Sequence, residues 1–106
     1  MTKQERREAW AQALESGEYT QAKGALRRGD SYCALGVGCD VFVKANPGKM
    51  PWQDSEGIWR IAGRGLTMPE VIARWFGVSR TRRQSISDSN DSGVPLAEIT
   101  PLVRGK

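Results

Sequence analysis

The residues of this chain best suited to chemistry fall into two groups. The first is a run of donors, Arg80, Thr81, Arg82, Arg83 and Gln84, with Arg60 and Arg64 upstream. Guanidinium groups and a carboxamide in this order suit contacts to phosphates and to base edges. The second group is dispersed: Asp30, Tyr32, Asp40 and Asn90, oxygen-bearing side chains that suit a polar pocket or a metal ion if the fold gathers them. There is no histidine, the usual acid–base group near neutral pH and a member of the common catalytic triads. No paired-carboxylate motif, Walker-type glycine loop or GxGxxG occurs. The expectation is a protein that is not an enzyme and needs no cofactor.

Cys33 and Cys39 are the two thiols. A structural zinc site takes four Cys or His ligands, so this pair cannot form one, and no metal site is expected. On a helix their side chains point about 120° apart, which argues against a disulfide. Buried free thiols are expected.

The elements that must position these groups follow from capping and apolar spacing. Thr2 and Glu5 form a capping box, opening a helix through "KQERREAWAQALES" with Trp10, Ala13 and Leu14 on one face. Gly17 stands where a left-handed cap would end it. That face is narrow, which places the helix on the outside of the domain with Arg6, Arg7 and Glu8 in solvent. Gly24 and Gly29-Asp30 punctuate a short hairpin or ordered loop. "YCALGVGCDVFV", residues 32–43, fits a buried helix, with a strand as the alternative; Ala34, Gly36 and Gly38 allow another backbone to approach closely. Asp40 is expected at an edge, in water. Residues 46–55 read as a loop, and "GIWRIAGRG" as a short strand ending at Gly63.

Thr67 and Glu70 suggest a second capping box, opening a helix with Val71, Ile72, Trp75 and Phe76 as its apolar stripe. "SISDSNDSG" reads as an exposed loop. In "VPLAEITPLV", Pro101 shortens, kinks or ends the last helix near Thr100. Together these elements predict an α+β fold over residues 1–106, a single domain with three or four helices and one or two short β-hairpins. The 106 residues, 39% of them hydrophobic, suffice for one modest core.

Residues 68–87 resemble a DNA-binding helix-turn-helix. Ala73 is small where the helices would cross, Gly77 suits a positive φ in the turn, Ser79 suits the cap, and Ile86 returns to the core. The resemblance implies that Arg80, Thr81, Arg82 and Gln84 begin a recognition helix. Residues 57–83 hold six arginines against Glu70 alone, a net +5 in a chain whose total is +4. Arg83 departs from the pattern, because the residue three before Ile86 faces the first helix and is normally apolar. A helix followed by a basic loop is the competing expectation.

A broader resemblance rests on three blocks. Trp10, Ala13, Leu14, Ser16, Gly17, Tyr19 and Gln21 match a Trp-x-x-Ala-Leu-x-Ser-Gly-x-Tyr-x-Gln opening. Gly29, Asp30, Tyr32 and Cys33 match Gly-Asp-x-Tyr-Cys, followed by Leu35-Gly36-Val37, Cys39 and Asp40; Asn90, Asp91 and Gly93 match a closing Asn-Asp-x-Gly. The set is similar to a widespread group of small phage and prophage proteins of unassigned function. Ala34 and Gly38 depart from it where larger residues are expected, as does Pro101. The resemblance implies a phage-type accessory protein in the cytoplasm of a bacterial host, and it carries no chemistry of its own.

The functional expectation is therefore a non-catalytic protein that binds a host macromolecule, for host takeover or counter-defence. A host protein is the first partner expected and nucleic acid the second, with no membrane. A small-molecule or nucleotide-binding protein, or an enzyme around Asp30, Tyr32, Asp40 and Asn90, is the third reading.

Overall fold

The computed structural model describes residues 1–105, along which five α-helices, one 3-10 helix and five short strands follow one another. The order is α1 (Lys3–Glu15), β1 (Thr20–Gln21), β2 (Arg27–Arg28), β3 (Ser31–Tyr32), α2 (Ala34–Ala45), β4 (Trp52–Ser55), β5 (Ile58–Ile61), α3 (Glu70–Phe76), α4 (Arg80–Asp91), a 3-10 turn (Leu96–Glu98) and α5 (Thr100–Arg104). The α+β class stands, with more helices than three or four and with the hairpins joined into one mixed sheet. Its strand order is β1-β3-β2-β5-β4, with β1 parallel to β3 and the remaining pairs antiparallel. Among the described residues no helix is long and apolar enough to cross a membrane.

The capping box at the start of α1 forms as read: Thr2 N donates to Glu5 Oε1 at 2.7 Å, and Glu5 N donates to Thr2 Oγ1 at 3.1 Å. The helix keeps Lys3, Gln4, Gln12 and Glu15 in solvent, but its inner face is wider than read. Trp10, Ala11 and Leu14 are buried, because the small Ala11 widens the face that Trp10 fills. The Trp10 ring lies 4.7 Å from that of Phe76, and its Nε1 donates to Ala34 O at 3.0 Å. Arg6 and Arg7 are likewise not simply solvated. Their guanidiniums donate to Trp75 O and Phe76 O, each at 2.8 Å, and so satisfy carbonyls left open at the end of α3.

Residues 34–45 are helical. The Cys33 thiol caps them, accepting from Gly36 N at 3.3 Å. Two glycines decide how tightly α2 sits. A Cβ on Gly36 would fall 1.8 Å from Leu26 O, and one on Gly38 would fall 2.7 Å from the Trp10 ring. The small residues of α2 thus serve one backbone approach and one ring. Cys33 and Cys39 are free and buried, and burial raises both thiols, that of Cys39 strongly.

Part of the expected 46–55 loop is strand β4, paired with β5 through a tight turn in which Glu56 and Gly57 take φ of 56° and 90°. Thr67 does not cap α3. The helix begins at Glu70 after an extended Pro69, and a proline keeps the residue before it, Met68, out of the helical region. Pro101 opens α5 instead of breaking a helix, since the first turn needs no proline N–H.

The largest correction concerns residues 79–91, which are neither a basic loop nor an exposed one. They form α4, capped by Ser79 and anchored by a stripe of Arg83, Ile86 and Asn90 at i, i+3 and i+7. Only Ile86 in that stripe is apolar, so apolar spacing alone gives no helix signal here.

Candidate functional site

α3 ends at Gly77, which takes a φ of +74°, and Ser79 Oγ accepts from Arg82 N at 3.1 Å to begin α4. Both turn features expected from the sequence are present. Arg83 does face α3. Its two terminal nitrogens donate to the Glu70 carboxylate at 3.0 and 3.3 Å, and its side chain is only 11% exposed. The ion pair supplies what an apolar residue would supply in the helix-turn-helix pattern.

Beside this pair lies a cleft of about 600 Å³, lined on one wall by Arg80, Arg83, Gln84 and Ser87 of α4. The facing wall is Arg64, Leu66, Thr67 and Met68, with Glu70 at one end and Leu35 contributing from α2. The hydrogen bond from Arg83 holds the Glu70 carboxyl below its ordinary value, and the charges of Arg80 and Arg74 add to it. Leu66, at 69% exposed, is an apolar side chain left in solvent beside these charges, and Val71 of α3 is also exposed.

The sequence-predicted donors separate on the structure. Arg80, Thr81 and Gln84 lie on the exposed side of α4, and Gln84 Nε2 donates to Asp88 Oδ1 at 2.8 Å. Arg82 turns the other way, toward Leu102 O at 3.4 Å. Arg64 joins the cleft, whereas Arg60 is exposed on β5 and passes beside Gly65.

The second predicted group is not gathered into one pocket. Asp30 is exposed in the turn between β2 and β3. Asp40 is 6% exposed, contrary to an edge position in water, and its burial is compensated in full. Its carboxylate accepts from Tyr19 Oη at 2.6 Å and from Trp52 Nε1 at 3.1 Å, and pairs with Lys44 Nζ at 3.2 Å. Tyr32 stands edge-on to both Tyr19 and Trp52, at 5.0 and 6.0 Å. The Arg27 guanidinium covers Trp59 at 3.9 Å and Tyr32 at 4.9 Å. Asn90, 1% exposed, belongs to a different network. Its Oδ1 accepts from Gln21 Nε2 and Ala34 N, both at 3.0 Å, and its Nδ2 donates to Ala22 O at 2.8 Å. It ties α4 to β1 and to the first turn of α2.

A family model described as Domain of unknown function (DUF8296) matches residues 2–100. The chain belongs to that family. The matched span contains the cleft and both polar networks. No curated protein and no solved structure gives a significant match.

Sequence reasoning missed Leu66 and Glu70 as cleft residues, and Tyr19, Lys44 and Trp52 as partners of Asp40. Lys44 had a signal, since Asp40 and Lys44 are an i, i+4 pair on a helix. Glu70 and Arg83 lie 13 positions apart across a turn, and no local rule joins them.

Proposed function

We propose that this protein is a non-catalytic, phage-type accessory protein that acts by binding a host macromolecule, first a host protein, through the face that carries the cleft. The supporting observation is the composition of that face. Exposed Leu66 lines the cleft with Arg64, Arg80 and Arg83, and arginine together with apolar side chains is the mixture that protein interfaces favour. The matched family brings no activity with it, and the three-block resemblance is the support for a phage origin and a host-cell setting.

A photo-crosslinking residue at Leu66, compared with one at Gln53 on exposed strand β4, tests this in a bacterial lysate. The reading expects one host protein captured from Leu66 alone. The purified pair should then bind, and more weakly for Leu66→Ser and Arg80→Ala. Capture of the same mixture from both positions counts against it.

DNA binding is the second reading, favoured by the left-handed Gly77, the Ser79 cap and the exposure of Arg80, Thr81 and Gln84. Asp88 sits one turn beyond Gln84 and would face the duplex with it, which weakens this reading. Anisotropy of a labelled random-sequence duplex across a salt series decides it. Binding that falls steeply with salt and is lost in the Arg80→Ala/Arg82→Ala/Arg83→Ala variant would place nucleic acid ahead of protein.

A further inference from the structure

The cleft beside α4 has a volume and a partly buried lining that the macromolecular reading does not use. Its volume of about 600 Å³ lies within the range of small-molecule pockets, roughly 300–1,000 Å³. Its lining includes the buried Leu35 and Met68 and the exposed Leu66, with Thr67 and Ser87 among them. Three arginines less one glutamate give the lining a formal charge of +2.

The charges are also arranged unequally. Arg83 already holds a carboxylate in its fork, in the two-point geometry that suits carboxylates and phosphates alike. Among the described residues, Arg64 and Arg80 have no carboxylate within ion-pair distance. Glu70 is 59% exposed at its side chain, so it can swing out and yield the fork to an incoming anion. A phosphate monoester carries about −1.5 to −2 near neutral pH and three acceptor oxygens, enough to meet Arg64 and Arg80 together with the fork of Arg83, whereas a lone carboxylate brings one charge and two oxygens.

We infer that the cleft is a binding site for a small phosphate monoester whose body is apolar or planar, with the phosphate between Arg64, Arg80 and Arg83 and the body against Leu35, Leu66 and Met68. Glu70 then acts as an internal competitor for Arg83. The site goes beyond the macromolecular reading and does not rest on it, since the ligand is taken whether or not a partner docks.

Titration of the ¹⁵N-labelled protein with adenosine 5′-monophosphate, followed by amide shifts, is the test, with adenosine and inorganic phosphate as separate arms. The nucleotide is expected to move the amides of Leu66, Thr67, Met68, Gln84 and Ser87 saturably. Inorganic phosphate should move a subset more weakly, and adenosine should move them hardly at all. Arg80→Ala and Arg64→Ala are each expected to weaken the nucleotide by about tenfold, the worth of one charge-assisted hydrogen bond. Both side chains are exposed, so these variants should keep the wild-type amide spectrum elsewhere. Glu70→Gln should strengthen binding, because it removes the competitor.

Three results would overturn the inference. One is no saturable shift at these amides, and another is equal binding of adenosine and its monophosphate. The third is undiminished affinity in the Arg64→Ala/Arg80→Ala double variant. None of them bears on crosslinking from Leu66, so the two proposals fail separately.

Discussion

Glu70 and Arg83 meet through two hydrogen bonds of 3.0 and 3.3 Å, across the turn that joins α3 to α4. The pair seats a mostly polar helix on its neighbour and forms one end of the cleft. It is exposed on the glutamate side and nearly covered on the arginine side. Removing Glu70 leaves the guanidinium without its partner, while replacing Arg83 by leucine restores an apolar seat. Glu70→Ala is therefore expected to lower the melting temperature, and Arg83→Leu to leave it close to wild type or raise it. Thermal unfolding of the two variants, in low and high salt, checks this. Equal losses in both would show that the ion pair itself, and not the filling of that seat, holds α4.

Gly36 and Gly38 set the depth of α2. At Gly36 the obstacle to a Cβ is backbone, Leu26 O, which cannot move without displacing β2. At Gly38 it is the ring of fully buried Trp10. Gly36→Ala is expected to cost about 3 kcal/mol or more, and Gly38→Ala about 1–3 kcal/mol. Urea unfolding measures both, and a neutral Gly36→Ala would mean that the approach of α2 to Leu26 is looser than described.

Asn90 satisfies three partners at once: Gln21, the amide of Ala34 and the carbonyl of Ala22. Truncation would strand buried backbone groups, each worth about 1–3 kcal/mol when unsatisfied. Asn90→Ala is expected to destabilise by about 3 kcal/mol, and Asn90→Asp to be no better, because an aspartate cannot donate to Ala22 O. Hydrogen exchange at the Ala34 amide offers a local readout. Protection there should fall further than at the centre of α1.

The network around Asp40 makes stability depend on pH at the alkaline end. Burial, with the hydrogen bond to Asp40 second, pushes the Tyr19 phenol up to about 12 from 10.0, and Lys44 rises to about 12 through its bonds to Tyr19 and Asp40. Between those values the folded chain keeps protons that the unfolded chain has released. The stabilisation is therefore complete below about pH 10 and is lost as pH rises through about 12. The chain has two tyrosines, so in a Tyr32→Phe background the phenolate absorbance follows Tyr19 alone. Asp40→Asn should move that titration down toward 10.0. A midpoint unchanged by Asp40→Asn would separate Tyr19 from the carboxylate.

At the acid end the sign is reversed. Hydrogen bonds from Arg104 lower Glu8 and Glu15, and the bond from Arg83 lowers Glu70. Their contribution is present above the ordinary carboxylate value of 4.5 and is lost as pH falls through the lower folded values. Arg104→Gln should flatten the fall in stability below pH 4.5 without altering the alkaline limb. Denaturant titrations at a series of pH values separate the two limbs.

What the sequence determined by itself is local. The Thr2–Glu5 box, the left-handed Gly17 and Gly77, and the Ser79 cap all rest on contacts within about one helical turn, and all are present. The α+β class and two buried thiols were legible for the same reason, or from composition. Tertiary structure decided the rest. α4 is polar along most of its length, and its helical state depends on Glu70, Ala34, Gln21 and Ala22, none of them neighbours in sequence. Asp40 reads as a surface charge until Tyr19 and Trp52, brought in from either side of α2, compensate its burial. Arg6 and Arg7 read as a solvated face until the end of α3 presents two carbonyls to them. The cleft follows the same logic: its arginines could be counted in the sequence, but their convergence on Leu66 and Glu70 exists only after the chain has folded. A polar side chain in an unfolded sequence does not specify its partner, because water satisfies it equally well until folding removes the water.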